Sequence, residues 1–131
     1  MIVASFLVKH LRIHWMEGEK HFKNCLVDYN EASNVAQWQW VAGCGADAAP
    51  YFRIFNPILQ GEKFDKEGLY VKKWVPELDK VPSKFVHKPW EMELKYQQAI
   101  KTIIGKDYPQ PIVIHEKARA SALEAFKTLK K

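Results

Sequence analysis

The sequence predicts an all-α protein, on three observations. Apolar residues recur at helical spacing: Val3, Phe6, Leu7 and Leu11 sit at i, i+3, i+4 and i+8. Ala118, Ala122, Leu123 and Phe126 form a similar stripe near the other end. The period-two alternation of a half-buried strand is almost absent. Gly and Pro cut the chain into short blocks, as helix ends do. With 131 residues, 47% of them apolar and 27% charged, the chain can bury a core and fits one domain over residues 1–131.

The elements follow in order. The first stripe predicts a helix over residues 1–15, broken at Gly18. Phe22, Cys25 and Leu26 repeat the spacing and give a second helix up to Asp28. Asn30 is suited to cap a third, which carries Trp38 and Trp40. Residues 43–50, with two Gly and three Ala, read as a loop. Residues 51–55 read as a short helical turn before a stop at Asn56-Pro57. Residues 57–64 look irregular. A helix over 65–74 is closed by Pro76, and Pro82 and Pro89 bracket a loop. Residues 91–104 are helical by pattern, with Gly105 as the stop. The last helix spans 115–129.

Composition excludes several classes. The longest apolar run, residues 1–8, falls far short of the roughly 20 residues that cross a bilayer. It also lacks the basic lead-in and cleavage site of a signal peptide. Cys25 and Cys44 cannot build a disulfide framework, so the expected location is the cytoplasm. A chain that opens inside a strongly apolar helix reads as a piece of something larger. The net charge of +5 is uneven. Residues 1–79 hold 9 basic against 10 acidic side chains, and residues 80–131 hold 11 against 5. A basic end suits a polyanion, and equally a solvated lysine-rich tail.

Three constellations could carry chemistry. Asn30, Asn34 and Trp38 lie four apart, so they share a helix face, and Trp40 points about 200° away. Two amides and an indole suit a planar heteroaromatic ligand with hydrogen-bonding edges; the same residues would also serve as caps and core. In DAAPYFRIFNP, Arg53 is the lone cation among Tyr51, Phe52 and Phe55, placed to meet a phosphate or stack on a base, or to pack. His10 with His14, and His21 with Cys25, are i, i+4 pairs, but there is no CxxC or HExxH, and no metal site is expected.

Four stretches carry a resemblance: MIVASFLVKHLRIHWMEGEKHF, NxxxWQW, DAAPYFRIFNPxxQGEKFDxEGxYxxxWVPEL and DYPQPIVxHxxAR. Together they resemble the C-terminal part of DNA photolyases, the light-driven enzymes of the photolyase/cryptochrome family. The likeness covers nearly the whole chain and is weakest over residues 91–106. It implies part of the helical FAD-binding domain, without the N-terminal α/β antenna domain and without the half of the pocket that grips the flavin phosphates. The implied activity is light-driven repair of cyclobutane pyrimidine dimers in DNA by electron transfer from reduced FAD. The isolated chain is expected to be inactive and to bind FAD weakly at best. The alternatives are a non-catalytic, cryptochrome-like flavoprotein and a nucleic-acid-binding helical module.

The resemblance also assigns residues. Asn34 matches the Asn facing the flavin N5, which favours a repair-type ancestry. Asp28 matches a carboxylate near the flavin, and Asn30 stands where the family usually has Asp. Trp38 and Trp15 match the proximal and middle members of the tryptophan chain that reduces FAD. Met1 and Trp40 match the lining of the dimer cavity, and Arg53 a DNA-backbone contact. These last three are expected around one cavity mouth. The implied partners are dimer-containing DNA and the missing N-terminal half, with no membrane.

Overall fold

The computed structural model describes residues 1–51 and 53–128. It is helical, and among the described residues the only β pairing is an isolated bridge between Ile104 and Tyr108. The fold class therefore agrees with the sequence. The chain forms two compact units, residues 1–55 with 113–131 and residues 56–112.

The first unit opens with α1 (Ile2–Ser5), which passes into a π-helical segment, Phe6–His10. The amide of Leu11 reaches back five residues to the Phe6 carbonyl, and Arg12 then adopts a left-handed φ of 56°. The expected helix over 1–15 thus ends at its tenth residue, with Leu11 as the cap. A new helix, α2 (Trp15–Cys25), starts where that one was expected to finish, and His14 Nδ1 accepts from the Met16 amide at its start. Gly18 lies inside α2 and breaks nothing, because the space beside it is filled by the Trp38 ring.

The third helix, α3 (Glu31–Ala42), begins where expected. Asn30 Oδ1 accepts from the Ser33 amide at 2.9 Å, and Gly43, at φ 80°, ends the helix in the left-handed conformation. The loop that follows is tied back by the Ala49 amide to the Trp40 carbonyl. Within 51–55 a single turn closes from the Arg53 amide to the Pro50 carbonyl, short of a helix.

Beyond the second unit, the chain returns in α7 (His115–Thr128), whose Ala118 and Ala122 are buried; Leu129 lies outside the described residues. Ala4, Trp38 and Val41 form the core, with Leu7, Val8, Trp15, Phe22 and Trp40 packed around them. Full burial of one such apolar side chain contributes about 1.5–3 kcal/mol.

The second unit corrects three boundaries. Residues 57–64 form α4 (Pro57–Phe64). Asn56-Pro57 is a start signal here: Asn56 Oδ1 accepts from the Ile58 and Leu59 amides, and Pro57 takes the first helical position, where its missing N–H costs nothing. The next helix, α5 (Leu69–Trp74), starts later than expected, because Asp65 closes α4 and its carboxylate then accepts from the Tyr70 and Val71 amides. Desolvation alone would raise the Asp65 carboxyl; these two N–H groups and nearby His87 instead hold it below the ordinary carboxylate range.

Only Leu94–Ile100, α6, is helical within 91–104. Lys101 turns left-handed at φ 58°, and buried Gln97 bonds the Met92 carbonyl and the Ile104 amide, replacing the helical ladder on both sides. Single 3₁₀ turns at Pro76–Leu78, Ser83–Phe85 and Pro89–Glu91 complete the unit. Its core is Leu78, Val81, Val86 and Met92.

Candidate functional site

The first unit holds a cavity of about 280 Å³ between the start of the chain, α2 and α3. Apolar walls come from Met1, Ala4, Phe22, Leu26, Trp38 and Val41, and polar edges from Asp28, Asn30, Ser33, Asn34 and Gln37. The i, i+4 spacing did its work: Asn30, Asn34 and Trp38 all face this cavity, and Trp40 does not line it.

Each side chain is held for a reason. Trp38 is 3% exposed and meets Phe22 edge to face at 5.1 Å. Trp15 packs into the same cluster. Asn34 is 8% exposed, and its Nδ2 donates to both the carbonyl oxygen and Oε1 of Glu19, at 3.1 and 3.0 Å. Both amide hydrogens are thereby used, which leaves Oδ1 as the edge available to a ligand N–H. Glu19 Oε1 also accepts from the Tyr29 hydroxyl at 3.4 Å. Partial desolvation, then the negative charges of Glu31 and Glu19, push the Tyr29 phenol up, so it stays a donor.

Asn30 serves twice, as cap of α3 and as cavity edge, and its Nδ2 remains for a ligand. Asp28 is exposed at the rim. Glu19, Tyr29 and Phe22 were not singled out in the sequence. They lie 15, 5 and 16 residues from the Asn34 and Trp38 side chains they support, and no local spacing signals such tertiary pairs.

Of Met1, Trp40 and Arg53, expected around one mouth, the lining of this cavity includes one. Met1 shares the Trp38 cavity, whereas Trp40 and Arg53 are absent from its lining. Trp40 is half-buried against the core from the opposite side of α3. Arg53 is exposed, with its guanidinium 5.7 Å from the Phe55 ring centre. The reason is the helix itself: two residues on α3 turn Trp40 away from the wall that Met1 helps to build.

Of the two histidine pairs, one resolves differently from its spacing. His10 bonds His115, not His14, and His21 lies against Cys25 at 3.8–4.0 Å. Among the described residues no three His, Cys, Asp or Glu side chains converge as a metal site. No described helix is long and apolar enough to cross a membrane.

An apolar slot edged by amide and carboxylate groups, closed by an indole, is a site for a flat ring system with polar edges. The cavity is at the small end for a whole ligand, where about 300–1,000 Å³ is usual, so it suits the ring part of a larger cofactor. These residues fit the isoalloxazine of a flavin: amide edges for its ring N–H and carbonyl groups, and apolar walls for its faces.

Comparison with known proteins agrees with this class. The FAD binding domain of DNA photolyase matches residues 1–128, and the chain belongs to that family. It is 59% identical over 131 residues to a deoxyribodipyrimidine photo-lyase of Agrobacterium fabrum and 53% identical to that of Escherichia coli, in both cases along the full chain. Among solved structures, a bacterial class III photolyase from Agrobacterium tumefaciens superposes with a TM-score of 0.93 at 58% identity, over 98% of this chain. A Synechocystis cryptochrome superposes with a TM-score of 0.87 at 36% identity, over 94% of it. The chain spans 27% of the first relative and 26% of the second, and 27% and 25% of the two solved chains.

Proposed function

We propose that this chain forms the inner wall of a flavin site in a light-driven DNA-repair enzyme acting on cyclobutane pyrimidine dimers. The observation that carries the reading is the fixed Asn34 amide, locked by Glu19 with its acceptor left for a ring N–H, directly beside the buried Trp38. Reduced FAD, if bound there and excited by light, would lend the dimer the electron that splits the cyclobutane ring and take it back once the ring is open.

The chain's own residues position and protect. Asn34 accepts from the ring edge, and Asn30 and Asp28 offer further polar contacts. Trp38 excludes water from one wall, and with Trp15, packed against the same core cluster, it is the proposed electron relay into the site. Met1 closes one side of the cavity. Trp40 and Arg53 are the proposed DNA-facing residues: an indole for an extruded base and a cation for phosphate. Dimer-containing DNA and the family's N-terminal part are the proposed partners, and the cytoplasm the proposed location.

The test is a chimera in which this chain replaces the matching quarter of the Agrobacterium fabrum relative. It should retain FAD and restore dimer-containing DNA under blue light. Trp38→Phe should stop photoreduction of oxidised flavin and leave repair intact once the flavin is reduced chemically. A chimera that holds FAD yet repairs no dimers would favour the second reading, a cryptochrome-like flavoprotein, which the likeness to the Synechocystis structure supports.

A further inference from the structure

Outside the cavity lining, two histidines 105 residues apart in sequence meet. His10 Nε2 lies 2.8 Å from His115 Nδ1, with ring centres 5.0 Å apart. His10 is 6% exposed, is flanked by Phe6 at 5.2 Å, and buries an Nδ1 that has no hydrogen-bond partner. His115 is the first residue of α7, and α7 packs on the π-helical segment that carries His10. Small Ala118 and Ala122 allow the close approach. A further tie of α7 is the stack of Phe126 on Tyr51 at 4.5 Å.

We propose that His10 and His115 form a pH-sensitive clasp, which holds α7 on the N-terminal segment and releases it when both imidazoles are protonated. The chemistry follows from counting hydrogens. Two neutral rings share one N–H between the facing nitrogens. One added proton, placed on His115, keeps that bond. A second proton sets N–H against N–H across 2.8 Å and places a cation in a buried site, where only the Ser5 backbone offers it weak support. Desolvation and then the charge of His115 hold His10 below the ordinary histidine range; the Ser5 backbone pulls weakly the other way.

Among the described residues, the helices packed on the segment offer no compensating carboxylate. Four helices pack on the segment. Of these, α1 has no ionisable side chain. On α2, Glu17, Lys20, His21 and Lys23 are exposed, and Glu19 is committed to Asn34 and Tyr29. On α3, Glu31 is exposed, as are Glu116, Lys117, Arg119, Glu124 and Lys127 on α7. Lys9, on the segment itself, is turned to the Arg53 carbonyl. His115 is the charged neighbour that acts on His10.

The sign is fixed by this depression. A base held neutral in the folded state stabilises fully above its unfolded value, about 6.5, and loses that contribution as pH falls below it. The experiment is amide hydrogen exchange by NMR on the full 131-residue chain between pH 8 and 5, corrected for intrinsic rates. Protection of α7 amides should fall below about pH 6.5, by up to about tenfold per pH unit for each proton taken up, while α4–α6 stay level. In His10→Asn the α7 profile should be flat. His115→Asn, altered at the less buried partner, should show a smaller fall than wild type, since the burial of His10 remains, and serves if the first variant misfolds. A level wild-type profile, an equal fall in α4–α6, or the same fall in either variant would overturn the clasp.

Discussion

Gly18 and Trp38 are in such close register that a Cβ on Gly18 would overlap the indole ring. The absent side chain is therefore what lets α3 press the outer edge of the Trp38 indole against the α2 backbone. Sequence logic alone expects the reverse of what this packing implies, since Gly to Ala inside a helix normally stabilises by about 1 kcal/mol. Here Gly18→Ala should destabilise by about 1–3 kcal/mol through overpacking and should shift tryptophan emission as the indole is displaced. Denaturant unfolding with fluorescence checks both; a more stable variant with unchanged emission would show that the contact relaxes freely.

One residue further along α2, Glu19 sets the other half of the wall. It takes both hydrogens of the Asn34 amide and so decides which atom faces the cavity. In the chimera, Glu19→Ala should weaken FAD binding by about fivefold to tenfold, the worth of one hydrogen bond of about 1 kcal/mol or slightly more. Glu19→Gln, which keeps an acceptor at the same reach, should recover most of the loss. Equal affinity in all three proteins, measured by flavin fluorescence titration, would mean that Asn34 orients itself.

These two contacts also show what a sequence can reveal. The i, i+4 face of Asn30, Asn34 and Trp38 was legible because helical periodicity is local, and so was the cap at Asn30. The π-helical turn at Phe6–His10 and the left-handed Arg12 were not, because they answer to packing of α7 and α2 on that segment. Asn56-Pro57 was legible as a boundary but ambiguous in direction: the pair ends one element as well as it starts another. The fold class and the cavity wall could thus be read, and the supports behind the wall could not.

On the opposite side of α3, Trp40 and Arg53 are predicted to divide the work of holding DNA. In the chimera, Arg53→Ala should weaken binding to damaged and undamaged duplexes alike, since a phosphate contact carries no sequence or lesion information. Trp40→Ala should reduce binding to dimer-containing DNA by about fivefold or more, because loss of one stacking contact costs about 1–3 kcal/mol. Gel-shift titrations with both duplexes separate the two. A Trp40 variant with unchanged preference for the dimer would make this indole packing surface, consistent with its half-burial on the core.

Lys9 gives the last prediction, and it concerns stability at alkaline pH. Its side chain is 1% exposed, its Nζ donates to the Arg53 carbonyl at 2.9 Å and sits 5.4 Å from the Tyr51 ring centre, and none of the described ion pairs includes it. Burial first, and the charge of Arg53 second, lower its pKa from 10.5. An ammonium in that position is a standing cost at neutral pH, where it is charged in both folded and unfolded chains. Between its lowered folded value and 10.5, the unfolded chain binds the proton more tightly, so stability must rise with pH across that window. The unfolding equilibrium should shift by up to about tenfold per pH unit there. Lys9→Met cannot titrate and should lack the rise, so, whatever its stability at pH 7, the difference between the two curves should shift in favour of the wild-type chain as pH increases from 8 to 10. Denaturant melts at half-unit steps measure the slope directly. Parallel curves would show that the Lys9 ammonium reaches water in the folded chain.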